Sequence, residues 1–200
     1  MLVDSEPLVN RVYVELMRES GHDMDEAASL REFSGASKAT RLAAFSRRFA
    51  WSPTPEFERE FHARLAIVVA SELKPVTGIE RVLKHVRTRI CAASNGTTAE
   101  LRERLGAVRL LPYFENALFS APELGRTKPF PDVFMHAAKT MGAEPSRCAV
   151  VEDSVPGVQA AVAARMAVFG YAAHSNVVAL RQAGAVTFAR MDDLLALLNR

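Results

Sequence analysis

Lys128-Pro129-Phe130-Pro131-Asp132, followed by the apolar run Cys148-Ala149-Val150-Val151 that ends in Glu152-Asp153, is the stretch from which the fold can be read. An apolar strand that stops abruptly at two carboxylates is poor core design and good cation-site design. Mg²⁺ takes oxygen ligands, usually one or two carboxylates with waters and phosphate oxygens completing the shell. A lysine ammonium is a compact point charge for the same anion. The pairing points to phosphate chemistry.

Outward from this stretch, short apolar segments alternate with amphipathic ones. Strands are expected at residues 89–93, 117–120, 149–151, 167–171 and 186–189. Helices are expected at 79–86, 98–105, 133–141, 155–164, 178–183 and 192–198, with Gly142 closing the third. Such alternation predicts an α/β fold, a doubly wound parallel sheet with helices on both faces. Before residue 75 the pattern differs. Leu8, Val12, Leu16 and Met17 recur at helical spacing up to Gly21, residues 37–49 and 56–73 read as further helices, and no strand is expected. Pro75 and Gly78 mark the change. The expected organisation is a helical module, residues 8–73, inserted into an α/β core of residues 1–7 and 74–200.

Bulk composition removes several function classes. Lys and Arg number 25 against 23 acidic residues, a formal charge of +2, which is no footprint for nucleic acid. Arg47-Arg48 reads as a solvated helix face. No apolar run approaches the length of a membrane span, and no basic-then-apolar leader opens the sequence. The expectation is a cytoplasmic protein without membrane or nucleic-acid partners, a monomer or weak homodimer. Cys91 and Cys148 fall in apolar segments and read as buried thiols in a reducing compartment. None of the five histidines has metal-ligand spacing to another.

Ligands of such sheets bind beyond the carboxyl ends of the strands, and three polar elements fall there. Ser94-Asn95-Gly96-Thr97-Thr98 follows the first expected strand. Gly96 permits a tight turn, and Thr97 with Glu100 fits a capping box, so free helix N–H groups and the Ser94 hydroxyl could hold an anion. A plain strand-to-helix turn is the bland alternative. Lys128 is the second element, although a lone Lys-Pro in a loop usually carries nothing. Glu152-Asp153-Ser154 is the third, where Ser154 could simply cap the next helix. Three such ends in an order that suits one phosphate outweigh the separate bland readings.

These motifs resemble the haloacid dehalogenase superfamily of phosphotransferases, over essentially the whole chain. Ser94-Asn95-Gly96 is similar to that family's second motif, Lys128 to its third, and Glu152-Asp153-Ser154-Val155-Pro156-Gly157 to its fourth. Val3-Asp4-Ser5-Glu6-Pro7 resembles the segment just after the first motif in the branch with a helical cap, within which the sugar-phosphate phosphatases and β-phosphoglucomutases look most similar. The resemblance implies a Rossmann-like core, a cap at residues 8–73, and a nucleophilic aspartate that forms an aspartyl-phosphate. It implies Mg²⁺ held by Asp153 with Glu152 as second metal residue, phosphoryl oxygens held by Ser94, Asn95 and Gly96, and Lys128 bound to both phosphate and nucleophile. Ser94 and Lys128 are the implied catalytic residues. Gly35, Ser37 and Lys38, at an expected loop-helix junction, are the candidate cap contacts with substrate.

Two departures bear on function. The family's Asp-x-Asp-Gly motif does not occur in this sequence; it would lie immediately before the opening residues. The central strand that carries it is therefore expected to be absent, and the chain as written inactive, through a truncated reading frame or as a natural inactive relative. Asp4 is expected to cap the first helix rather than replace the nucleophile. Arg165 stands where relatives carry the glycine that ends a helix in the left-handed conformation. The leading expectation is a Mg²⁺-dependent phosphatase for a small sugar or hydroxy-acid phosphate. A phosphomutase, a catalytically dead binding or regulatory protein, and a haloacid dehalogenase are the alternatives. The acidic pair argues against the last.

Overall fold

The computed structural model describes residues 1–33, 38–114, 116–173 and 175–198. Two units emerge, Asp4–Lys74 and Met1–Val3 with Pro75–Arg200. The first is helical: α1 (Glu6–Glu19), α2 (Glu26–Phe33), α3 (Lys38–Phe49) and α4 (Pro55–Glu72). Its core gathers Val12, Leu16, Met17, Phe33, Phe45, Phe57 and Phe61 around Tyr13, whose ring stacks on Phe61 at 4.0 Å and meets Phe45 edge-on at 5.8 Å. Aromatic pairs of these geometries contribute about 0.5–1.5 kcal/mol each beyond their burial. Thr54 caps α4 by accepting from the Phe57 amide at 3.1 Å. The short α2, unanticipated from sequence, starts where Asp25 accepts from the Ala28 amide at 2.6 Å. Asp4 does not cap α1; the residue at that position is Ser5, without a side-chain cap.

The second unit alternates as expected: α5 (Ile79–His85), β1 (Ala92–Ser94), α6 (Thr98–Ala107), β2 (Leu118–Ser120), α7 (Asp132–Thr140), β3 (Ala149–Glu152), α8 (Val155–Ala163), β4 (Ala167–Tyr171), α9 (Val177–Gln182), β5 (Val186–Phe188) and α10 (Leu194–Leu198). Every strand pair is parallel. β1 pairs β2 in the register Ala92–Leu118, and β3–β4–β5 pair in the registers Ala149–Ala167 and Phe169–Val186. Among the described residues β1–β2 and β3–β4–β5 are separate sheets, so β1 and β3 each keep an edge that no strand pairs.

What unites the two sheets is side-chain packing. α7 lies on β1 and β2, α8 lies on β3 and β4, and the two helices pack on each other. Phe119, Val133, Ala137, Val150, Val158, Ala161 and Val168 form one buried cluster across β2, α7, β3, α8 and β4, with Ala93 of β1 packed against it. The small residues of α8 allow close approach: Ala160 and Ala161 are fully buried. Cys91 corrects its sequence reading, because it lies exposed just before β1 with Cys148 half-buried, and both thiols are free.

α8 ends as the sequence made questionable. Arg165 adopts φ +59°, its amide donates to Val162 O at 2.9 Å, and the Met166 amide donates to Ala161 O at 3.1 Å. This is the paired bonding of a left-handed helix stop, normally supplied by glycine. An L-residue with a Cβ is strained there. Replacing Arg165 by glycine should therefore stabilise the protein by about 0.5–1 kcal/mol net of the added unfolded-state entropy. A urea midpoint shifted upward with unchanged slope is the expected result.

Candidate active site

Parallel pairing puts the carboxyl ends of the strands within each sheet side by side, and one side chain joins the two sheets at those ends. Lys128 leaves the β2–α7 connection, and its ammonium donates to Ala93 O of β1 at 3.0 Å and forms an ion pair with Glu152 at the end of β3. Both partners are buried, Lys128 with 9 % and Glu152 with 7 % of its surface exposed. The ammonium also sits 4.8 Å from the Phe134 ring centroid, over its face. A buried charge is tolerated when it is paired and hydrogen-bonded. Here both conditions are met.

Backbone bonds fix the approach of this lysine. Its amide donates to Asn95 Oδ1 at 2.8 Å, which ties the lysine loop to the turn after β1. In that turn the Gly96 amide donates to Ser94 Oγ at 3.0 Å. Ser94, Asn95, Gly96 and Lys128 thus converge on one place. The helix N-terminus beyond them differs from expectation. Thr97 and Glu100 form the full capping box, and the Thr98 amide and hydroxyl both donate to Glu123, each at 2.8 Å. The amides of Thr97, Thr98 and Glu100 are therefore already bonded to side chains. The Gly96 amide is likewise bonded within its own turn, so these N–H groups are satisfied locally.

Glu152 and Asp153 are adjacent in sequence and face different partners. One Glu152 oxygen accepts from Lys128; the other accepts from the Asp153 amide at 3.2 Å and from Ser154 Oγ at 3.1 Å. Ser154 also caps α8, accepting from the Gly157 amide at 3.2 Å. The Glu152 carboxylate lies flat against Gly157, where a Cβ would fall 2.1 Å from its carbon. Asp153 is half-buried and presents Oδ2 to the Met1 α-ammonium at 3.1 Å. Burial alone would raise the Asp153 carboxyl, but that ammonium and then Lys128 more than offset it and hold it below its ordinary value. Lys128 and Asp153 are therefore close enough to feel one another.

A family model described as haloacid dehalogenase-like hydrolase matches residues 2–165. The 6-phosphogluconate phosphatase of Escherichia coli is 30% identical over 195 residues, covering 96% of this chain and 88% of that protein. The chain belongs to the haloacid dehalogenase-like hydrolases. Hexitol phosphatase B of Escherichia coli is 30% identical over 83% of the hydrolase and 77% of its own length. Among solved structures, a haloacid dehalogenase-like protein from Agrobacterium tumefaciens is 32% identical with a TM-score of 0.85, covering 99% of the hydrolase and 93% of that chain. A HAD family hydrolase from Deinococcus radiodurans, with bound phosphate and sodium, is 26% identical with a TM-score of 0.79, covering 98% and 90% of the two chains. By family the protein is a phosphatase of this superfamily.

Several residues of the hydrolase's site were not singled out from sequence. Ser175 Oγ donates to the Asp153 carbonyl at 2.6 Å, so the loop after β4 fixes the backbone that carries this acid. Ser175 directly follows His174, which lies outside the described residues. Phe134 and Glu123 also went unnoticed, because each acts through a contact distant in sequence. Of the candidate cap contacts, Gly35 and Ser37 lie outside the described residues, and Lys38 forms an ion pair with Glu58. Among the described residues no three His, Cys, Asp or Glu side chains cluster as a metal site, and no helix is long and apolar enough to cross a membrane.

Gly157 supplies a direct test of the geometry. The Cβ of Gly157→Ala would overlap the Glu152 carboxylate, which is held in place by three donors. A small-to-large change of this kind costs about 1–3 kcal/mol. Chemical denaturation should show that loss, whereas alanine at Gly106, where nothing lies within 4 Å of the added atom, should be neutral or stabilising.

Proposed function

We propose that the chain is a phosphoryl-transfer hydrolase built for a small, linear, polyhydroxylated phosphate such as a phosphorylated sugar acid or hexitol. The observation that carries this reading is the Lys128 ammonium held between β1 and β3, bonded to the carbonyl of Ala93 next to Ser94 on one side and near Asp153 on the other. A fixed cation, a hydroxyl and turn amides suit an incoming phosphoryl group, and charge developing on it would be offset without reorganisation. The substrate class draws on the relatives that act on 6-phosphogluconate and hexitol phosphates. The helical unit, Asp4–Lys74, is assigned the substrate-selecting role of a cap, with Gly35, Ser37 and Lys38 as its candidate contacts.

Mg²⁺ fits one carboxylate of this site. Asp153 already directs an oxygen to a cation, the Met1 ammonium serving as its stand-in. Mg²⁺ commonly keeps several waters and takes one or two carboxylates with substrate phosphate, so Asp153 would hold it. Bound there, Mg²⁺ would screen the phosphate dianion from an attacking carboxylate. Ser94 Oγ and the turn amides would orient the phosphoryl oxygens, and Lys128 would neutralise the group as the bond to the leaving oxygen breaks. In this reading the nucleophile is an aspartate that forms an aspartyl-phosphate, later hydrolysed by water. Asp153 is committed to the cation and cannot serve, and the sequence has no Asp-x-Asp-Gly run. The chain as written is therefore read as inactive.

The experiment compares the chain with a version extended at its N-terminus by a strand-forming segment that carries Asp-x-Asp-Gly. Phosphate release is measured from 6-phosphogluconate, hexitol phosphates and β-glucose 1-phosphate, with Mg²⁺ and with EDTA. The extended protein should turn over the first two at least one hundred-fold above the chain as written, and EDTA should abolish the activity. Conversion of β-glucose 1-phosphate to the 6-phosphate would select the mutase instead. Phosphate binding without turnover by the extended protein would favour a binding or regulatory protein, and EDTA-insensitive halide release a dehalogenase.

A further inference from the structure

At the end of α8 the molecule holds a cation that phosphate chemistry at the strand ends does not use. Arg165 forms part of the wall of a cavity of about 360 Å³. Met135 of α7, Pro145 and Ser146 of the connection to β3, and Ala163 and Ala164 at the end of α8 complete the lining. We propose that this cavity binds a small amphiphilic monoanion, its apolar body against Met135, Pro145 and the alanines and its carboxylate on the Arg165 guanidinium. Such binding is independent of the phosphatase reading.

Ligand pockets of this size are mainly apolar, with a few polar groups that fix orientation. Four of the six lining residues are apolar, and the other two bring a hydroxyl and a guanidinium. Met135 is 44 % exposed, on a helix whose Val133, Phe134, Ala137 and Ala138 are buried. A flexible thioether on an open wall adapts to apolar bodies of varied shape. Among the described residues, neither the Arg165 guanidinium nor the Ser146 hydroxyl bonds another protein group. Arg165 is thus a permanent charge with no acidic partner from the fold, and a guanidinium pairs with a carboxylate through two parallel hydrogen bonds. Charges near the lining in sequence favour an anion as well. Lys139 follows Met135 by one helical turn and Arg147 follows Ser146, against Glu144 before Pro145. Asp132 on α7 is already paired with Arg126.

Backbone conformation adds a second observation. Arg165 stands at φ +59°, where its Cβ is strained. Strain kept at a residue other than glycine points to a task for the side chain. Arg109 shares this φ, so strain alone marks no site; the cavity beside Arg165 distinguishes it. The bland account is a cation attracted by the C-terminal end of the α8 dipole, an effect of about the same size as the strain and therefore no net reason for arginine. The carbonyls of Ala161 and Val162 at that end already accept from the Met166 and Arg165 amides. The guanidinium is left to an outside acceptor.

The test follows the backbone amides of the chain by ¹H–¹⁵N NMR during titration with octanoate, 1-octanol and acetate. Octanoate should give saturable shifts at Met135, Ser146, Ala163, Ala164 and Arg165. It should bind more tightly than octanol, which lacks the charge, and than acetate, which lacks the body. Arg165→Gly suits this backbone and should stay folded; it should weaken octanoate about ten-fold while changing octanol by less than about two-fold. Ala163→Trp, which puts a ring into the cavity, should weaken both. Equal affinities for octanoate and octanol overturn the proposal, as does an Arg165→Gly that binds octanoate like the wild type. Octanoate shifts confined to Ser94, Gly96 and Lys128, or no saturable shift at all, overturn it too. None of these readouts uses turnover, so an inactive extended enzyme would sink the phosphatase reading and leave this site to be judged separately.

Discussion

A buried ammonium is the constraint around which this core is arranged. Lys128 is removed from water almost completely, and leaving such a charge without partners would cost several kcal/mol. The fold answers from three directions. A carbonyl of β1 and a carboxylate of β3 take two of its protons, an aromatic face of α7 lies beside it, and Asn95 holds its amide. Each answer restricts a further residue. Glu152 must be acidic, Gly157 must lack a side chain, and Ser154 must both cap α8 and donate to Glu152. Stability and chemistry are thus set by the same few contacts.

That ammonium also works where the backbone does not. β1 and β3 are not hydrogen-bonded to each other, and their sheets are separate among the described residues. The junction is made instead by the lysine bridge at the strand ends and by the packing of α7 on α8 beneath it. Sheet ladders distribute cohesion along a strand, whereas this junction concentrates it at one point and one apolar seam. A helix interface rich in alanine suits the task, since small side chains bring the backbones close.

Much of this was legible in the sequence because it is local. Alternating apolar runs give the strands to within a few residues; Gly142 and the Thr97–Glu100 box mark a helix end and a helix start in their own turns. That Ser94 ends β1, Lys128 follows β2 and Asp153 follows β3 was legible too, because each polar element comes after its apolar run. What was hidden depends on direction and distance. Sequence places Glu152 beside Asp153 and cannot say that one turns to the Lys128 ammonium and the other to the α-ammonium of Met1. Arg41 shows the same limit in the helical unit. Nothing in the sequence singles it out, yet it is buried between the Tyr13 and Phe33 rings, donates to Phe33 O at 3.1 Å and pairs with Glu6 at 3.4 Å. Its Nη1 has no hydrogen-bond partner, and burial lowers its proton affinity despite Glu6. Only the fold around an arginine reveals that.

Glu123 gives the surface of this molecule an unusual weight. It stands on the loop after β2, open to solvent, yet its carboxylate clasps the first residue of the helix that follows Ser94-Asn95-Gly96. The bonded threonine draws its proton affinity down, so it remains charged well into mild acid. Two loops that a chain tracing would treat as independent are consequently tied together. Variation at this solvent-facing acid would be felt at the start of the helix after Ser94-Asn95-Gly96, and tolerance maps of the surface should register it as an interior position.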